Sequence, residues 1–485
     1  MTQSIKKNFL YNILLNISSF IFPLVTAPYI SRVLEPNGVG LFNFANTYAG
    51  YFCLFASLGI PIYGVREIAK VRDSKEDIER LTSELITLAG IVTVVVSLIY
   101  VISLSIFEKL TSNYVIFFVA GFGIYFTPFK ISWVLQGLEE FKYITLRTLI
   151  IRVLSIVSLF AFVRTKNDLL IYIIINILGT ILADVWNFIK LWSKGYRFKI
   201  VLNGLKRHIS PLLILFSSTI ASSIYTMLDT LMLGFMRDYV EVGYYNTASH
   251  LSKVILTLVT SLSVVAIPRV SYYAKSGDIT NANLLVNKSF SFVTFIGIPI
   301  AVGLMCIAPV FTPWFFGDQY YGAILPLQIT SFLIVAIGLS NIAGVQVLVG
   351  YGLDKLFLYA ILAGTVSNFT LNLLLIPTLG SVGASVASVF SEILVTIGMV
   401  IMMIKFTPIR FNIKLDFIKS TVGSSLFIVL SIIVYHIIGY SILSMIIIIV
   451  ASFLVYGVTQ TLMNHSSMKI VVDNATAFIN HFNSK

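Results

Sequence analysis

Eight ionisable side chains lie inside long apolar stretches of this 485-residue chain: Lys130, Arg147, Arg152 and Lys253 against Glu84, Asp184, Asp229 and Glu392. A charge in hydrocarbon is costly, so such residues normally face a wet cavity or a partner of opposite sign. Four against four does not by itself make a cationic cavity. Arg147 and Arg152 stand about 140° apart on a helical wheel, so they need not face one space, and Arg147 can snorkel to the membrane surface. Lys130 shares one face of its predicted helix with Trp133 and Gly137.

Neutral polar residues extend the pattern. Asn246, His250, Lys253, Thr257 and Thr260 recur at steps of four and three, as do Ser218, Ser222, Tyr225 and Asp229. Asn176, Thr180, Asp184 and Asn187 form a third stripe, Ser385, Ser388, Glu392 and Thr396 a fourth, and Thr365, Asn368 and Asn372 a fifth. Such spacing collects side chains on one helix face. The stripes suit helices around a wet interior; the alternative is hydrogen bonding in a dry bundle, about 0.6 kcal/mol per bond.

Catalytic signatures are missing from the same sequence. Gly38-Val39-Gly40 lacks the third glycine of a dinucleotide fingerprint, and no Walker loop or HExxH occurs. The five histidines are scattered, and Cys53 and Cys306 sit in apolar runs, which excludes a disulfide framework or a zinc cluster. No cofactor or metal is expected, and the chain does not read as an enzyme.

The elements that carry these residues follow from composition. The AVILMFWYC set makes up 57% of the chain and DEKR 11%, with a mean hydropathy of +0.93. A soluble domain is about 25% charged. Fourteen apolar stretches, from 9–30 to 441–463, predict fourteen transmembrane helices in an all-α polytopic membrane protein. The first reads as a retained span bent by Pro23 and Pro28, too long for the apolar core of a signal peptide. Between the spans, alternate loops divide 24 Lys+Arg on one side from five on the other. By the positive-inside rule both termini are cytoplasmic, and the net charge of +12 reflects topology, not nucleic acid. The mixed-charge block 66–80 reads as a solvated cytoplasmic helix with i,i+4 pairs.

An internal repeat divides the chain. Val39-Gly40-Leu41-Phe42-Asn43-Phe44-Ala45 returns 203 residues later as Val242-Gly243-Tyr244-Tyr245-Asn246-Thr247-Ala248, and Val134-Leu135-Gln136-Gly137 returns as Val347-Leu348-Val349-Gly350. Both matches step by six helices, an even number, so the copies share one orientation in the membrane. This predicts two pseudo-symmetric six-helix lobes, 1–200 and 208–405, then helices thirteen and fourteen over 415–463 and a cytoplasmic tail, 464–485.

The opening Thr26-Ala27-Pro28-Tyr29-Ile30-Ser31-Arg32-Val33-Leu34, Gly38-Val39-Gly40, Tyr48, Leu58-Gly59 and Tyr63-Gly64-Val65-Arg66-Glu67-Ile68-Ala69 resembles that of the Wzx-type polysaccharide flippases. Their superfamily also holds lipid II flippases and MATE drug exporters. Phe316-Gly317, Tyr320, Pro377, Leu379-Gly380 and Gly383-Ala384 resemble its second-half landmarks. The resemblance implies two six-helix bundles forming a V around a central cavity. It also implies a polyprenyl diphosphate-linked oligosaccharide as cargo, turned from the cytoplasmic to the outer leaflet of the bacterial plasma membrane by alternating access.

Arg32 and Arg66 match arginines of that opening pattern, although at span ends a headgroup contact is an equal reading. With Lys130, Arg152 and Lys253 they are the expected holders of diphosphate or acidic sugar, and Asp184, Asp229 and Glu392 are candidates for coupling to H⁺ or Na⁺. Membrane lipid, a polysaccharide polymerase and other assembly proteins are the expected partners. The alternative is a cation-coupled MATE-like exporter whose carboxylates bind cationic cargo. A non-transporting scaffold has no use for the polar stripes.

Overall fold

A computed structural model describes residues 5–410 and 414–469, so the end of the predicted tail, 470–485, lies outside the described residues. Every regular element among the described residues is helical, and nine helices are long and apolar enough to cross a membrane. Their side chains are distributed as lipid demands. The helix Lys75–Ile106 turns Val94, Val95, Leu98, Ile99 and Ile102 outward and buries Thr82, Ser83, Glu84 and Thr87. In water that outer face would be a large apolar patch. Hydrocarbon covers it instead, and polar side chains find partners inside the protein. The chain is a multi-pass membrane protein.

Long helices are broken at particular residues, each for a local reason, and the breaks at Glu35 and Gly380 fall between predicted stretches. Ile5–Ser57 runs 53 residues but leaves helical geometry at Glu35 (φ 58°, ψ 172°), immediately before Pro36. Proline disfavours the α conformation of its predecessor and offers no N–H. Asp354–Phe406, also 53 residues, breaks at Gly380 (φ 55°, ψ −128°), three residues after Pro377. A further interruption at Leu58-Gly59, both with positive φ, starts Ile60–Val71.

The predicted fourth span is not a continuous helix. It comprises Tyr114–Ala120, Phe122–Tyr125, a 3₁₀ turn Thr127–Phe129 and Ser132–Gly137. Lys130 therefore does not share a face with Trp133 and Gly137 as continuous periodicity suggests. It lies in the break after Pro128, whereas the Trp133 ring packs on Gly64 and Gly137 packs on Ile68.

Contacts divide the chain into two compact units, Met1–Gly243 and Tyr244–Lys485. The first unit includes the helix Lys206–Met236, so the compact units and the repeat-based lobes divide the chain at different points. Its aromatic core joins Phe44, Tyr48, Phe117 and Phe235 in edge-on contacts. The segment leading to Lys206 is strapped to the helix Lys75–Ile106. The N–H groups of Arg197, Lys199 and Val201 donate to Glu79 Oε1 (2.9 Å), Ser83 Oγ (3.1 Å) and Thr87 Oγ1 (3.1 Å). Alternate residues of an extended chain thus meet every fourth residue of a helix.

In the second unit the helix Ile279–Phe316 packs against Lys414–Ile438 and Ile442–Leu462 through Cys306, Phe427, Val434, Ile448 and Tyr456. Asp416 ties one end together, accepting from Ser291 Oγ at 2.6 Å and Ser466 Oγ at 3.2 Å.

Candidate functional site

The polar stripe on the helix Leu169–Ser193 opens onto a cavity of about 500 Å³ inside the first unit, with Asn176, Thr180 and Asp184 in its wall. Asn46 and Cys53 face it from the helix Ile5–Ser57, Arg147 from Phe141–Phe162, and Lys130 from the broken fourth span. The break is what frees Lys130. Its Nζ donates to the Gly123 carbonyl at 2.8 Å, with Cys53 Sγ at 4.0 Å.

Arg147 is buried, 6% exposed, and does not snorkel. Its Nη1 donates to the Ala183 carbonyl at 2.7 Å and its Nη2 to Thr148 Oγ1 at 3.2 Å, while Nε finds no acceptor among the described residues. Asp184 has Lys130 and Arg147 as electrostatic neighbours. Two cations and one carboxylate lining one cavity favour a ligand carrying negative charge, and the hydroxyl and amide groups around them suit sugar hydroxyls.

The other residues singled out by sequence do not line this cavity. Arg152 faces an adjoining chamber and donates to Ser18 Oγ and to the Leu15 carbonyl (3.4 Å). Arg32 is exposed. Arg66 is half-exposed, paired with Glu67 at 3.0 Å, and its guanidinium lies 5.5 Å from the Tyr63 ring centre. Within the first unit Asp229 is buried; within the second, Lys253 is exposed on Tyr239–Ser276 and Glu392 is half-buried on Asp354–Phe406. The serines of the Glu392 stripe satisfy themselves inside the bundle, Ser385 donating to the Ser381 carbonyl and Ser388 to that of Ala384.

Sequence reasoning missed two features. The first is the burial of Arg147: snorkelling is one alternative the sequence leaves open, although an arginine beside Thr145 and Thr148 within an apolar run is a usable signal for burial. The second is a buried network: the Tyr63 hydroxyl meets His208 Nδ1 at 2.8 Å, His208 Nε2 meets Glu84 Oε2 at 2.8 Å, and Arg80 and Arg207 both pair with Glu84. Nothing in the sequence links Glu84 to a histidine 124 residues away.

Comparison with known proteins extends these observations. An Escherichia coli K12 protein named as an O-antigen transporter is 27% identical over 399 residues, 81% of this chain and 95% of its own. Among solved structures, a lipid II flippase in an inward closed conformation superposes with a TM-score of 0.74 at 17% identity, covering 95% of this chain and 100% of that one. An inward-facing multidrug-resistance MATE transporter reaches 0.61 at 14% identity, covering 79% and 93%. These likenesses show a common fold. A family model described as polysaccharide biosynthesis protein matches residues 5–274, more than half of the chain. On that match, the chain belongs to the polysaccharide biosynthesis protein family.

Proposed function

We propose that this protein is a flippase that carries a polyprenyl diphosphate-linked oligosaccharide from the inner to the outer leaflet of the bacterial plasma membrane by alternating access, for export of a surface polysaccharide. The observation that carries the reading is the polar cavity holding Lys130, Arg147 and Asp184 among membrane helices. A diphosphate crossing hydrocarbon needs matched cations, and its sugars need polar walls in place of water. The family match and the O-antigen transporter relative support the same class of cargo. Such a protein moves its cargo without making or breaking covalent bonds.

In this reading the chain crosses the membrane fourteen times with both termini in the cytoplasm. Support comes from the loop charge asymmetry and from the breaks at Glu35 and Gly380, each dividing a helix too long for one crossing. Two six-helix lobes, 1–200 and 208–405, are followed by helices thirteen and fourteen over 415–463. Arg32, Arg66, Lys130, Arg152 and Lys253 contact the diphosphate or acidic sugars at successive stages, and Asp184, Asp229 and Glu392 couple the cycle to H⁺ or Na⁺. A polysaccharide polymerase and other assembly proteins receive the product.

The test is depletion in the native cell, with an impermeant probe reporting which leaflet holds the lipid-linked oligosaccharide. Inner-leaflet accumulation rescued by wild type but not by Lys130→Glu supports the proposal. A normal distribution with altered drug tolerance would overturn it in favour of a cation-coupled exporter.

A further inference from the structure

Beside the Lys130–Asp184 cavity lies a second chamber of about 480 Å³, walled by the helices Ile5–Ser57, Phe141–Phe162 and Leu169–Ser193. Arg147 lines both spaces, and Arg152 lines the second alone. Thr26, Thr148, Ser155, Asn176 and Thr180 add polar groups, and no carboxylate lines this chamber. Two guanidinium groups without an acid select an anion, and planar N–H forks suit phosphate oxygens.

The chamber is also charged at one end only. Arg147, Thr148 and Arg152 lie towards the start of Phe141–Phe162, whereas Ile156 and Leu159 lie further along, opposite Tyr172 and Ile175 of the antiparallel neighbour. From residue 147 to 159 a helix rises about 18 Å. Outside, the same two helices turn Ile150, Val153, Leu154, Val157, Leu178 and Leu182 towards hydrocarbon. A free phosphate ion would occupy the charged end alone, whereas a phosphate on a long hydrocarbon chain also fills the uncharged end walled by Ile156, Leu159 and Ile175.

We infer that the Arg147–Arg152 chamber is a binding subsite for the phosphate group of a membrane-embedded lipid, with Arg147 as the residue shared between this subsite and the Lys130–Asp184 cavity. Arg147 has the means to serve both spaces. Two of its nitrogens are held by Ala183 and Thr148, which orients the guanidinium, while its Nε has no acceptor among the described residues. The inference rests on the proposed function only for the identity of the lipid, since a polyprenyl phosphate and an anionic phospholipid offer the same headgroup chemistry.

Native mass spectrometry of the purified full-length protein tests this. The probes are undecaprenyl monophosphate, phosphatidylglycerol, phosphatidylcholine and inorganic phosphate, each added separately. Wild type should retain one or both anionic lipids in preference to phosphatidylcholine and should not retain inorganic phosphate. Arg147→Gln should weaken that retention about tenfold, the loss expected for one charge-assisted contact. Because Arg147 is buried, Ser155→Asp provides a second variant that leaves both arginines in place and adds a repelling carboxylate; it should weaken retention comparably while melting like wild type. Preference for undecaprenyl monophosphate identifies cargo-type lipid, and preference for phosphatidylglycerol identifies bilayer lipid. Unchanged retention in both variants, or equal retention of inorganic phosphate, would overturn the inference. Normal leaflet distribution in depleted cells together with variant-sensitive lipid retention would instead sink the flippase reading and leave the subsite standing.

Discussion

Gly40 and Gly243 make the same backbone contact in exchanged roles: a Cβ on Gly40 would lie 1.6 Å from the carbonyl oxygen of Tyr239, and one on Gly243 would lie 2.2 Å from that of Pro36. Adding the repeat offset of 203 to Pro36 and Gly40 yields Tyr239 and Gly243. Contact i-to-j together with j-to-i is the signature of a two-fold relation. Within the first unit, Pro36–Gly40 thus packs against Tyr239–Gly243, its counterpart at that offset, and glycine is needed where the backbones cross.

The first prediction follows from that crossing. Gly40→Ala should lower stability by about 1–3 kcal/mol, the range for overpacking, because a backbone cannot swing aside as a side chain can. Gly243→Ala should behave alike, and the double variant should cost less than the sum, since the first change already parts the chains. Gly90→Ala is the control: its Cβ would meet nothing within 4 Å, and alanine suits a helix interior better. Thermal melts of purified protein decide it; equal melting of Gly40→Ala and Gly90→Ala would refute the packing argument.

How much was legible beforehand depended on range. The apolar stretches reveal the helices because each is a property of about 20 consecutive residues. The interruption between the first two stretches is readable from Glu35-Pro36, whereas the pieces of 114–137 are not, since hydropathy registers composition and not hydrogen bonding. Lys130 and Asp184 were each flagged by the cost of charge in lipid, but their convergence depends on the turn after Pro128 and on helices 54 residues apart. The Glu84–His208 pair has no local trace at all.

A second prediction concerns that pair. Glu84→Gln removes the charge facing Arg80, Arg207 and His208, and the lost charge-assisted bonds should cost about 1.5–3 kcal/mol. Tyr63→Phe removes one hydroxyl bonded to the histidine and should cost about 1 kcal/mol. If the two variants melt alike, Glu84 is not the centre of the network.

The third prediction is a pH dependence. His465 is fully buried, and that burial lowers its pKa from the ordinary histidine value, with Asp416 opposing the shift and Lys419 reinforcing it. The unfolded chain therefore takes up this proton first as pH falls, so the contribution to stability is present above the ordinary histidine range and declines below it. Wild type should melt at a lower temperature at pH 5.5 than at pH 7.5, and His465→Gln should reduce that difference. An unchanged difference would assign the pH response to another group.

The fourth prediction separates the two charges that share the first cavity. Lys130 and Asp184 both line it, but an anionic cargo and a coupling cation need opposite members of the pair. Lys130→Gln should lower export of lipid-linked oligosaccharide about tenfold or more while leaving its dependence on the H⁺ or Na⁺ gradient intact, as expected from losing one charged contact to the cargo. Asp184→Asn should instead leave the residual export insensitive to that gradient, because an amide neither takes up a proton nor carries the charge that attracts Na⁺. Export measured in everted vesicles with and without an ionophore distinguishes the two. Identical loss with identical gradient dependence would mean that the pair acts as a structural bridge and that coupling resides elsewhere, with Asp229 and Glu392 the next residues to substitute.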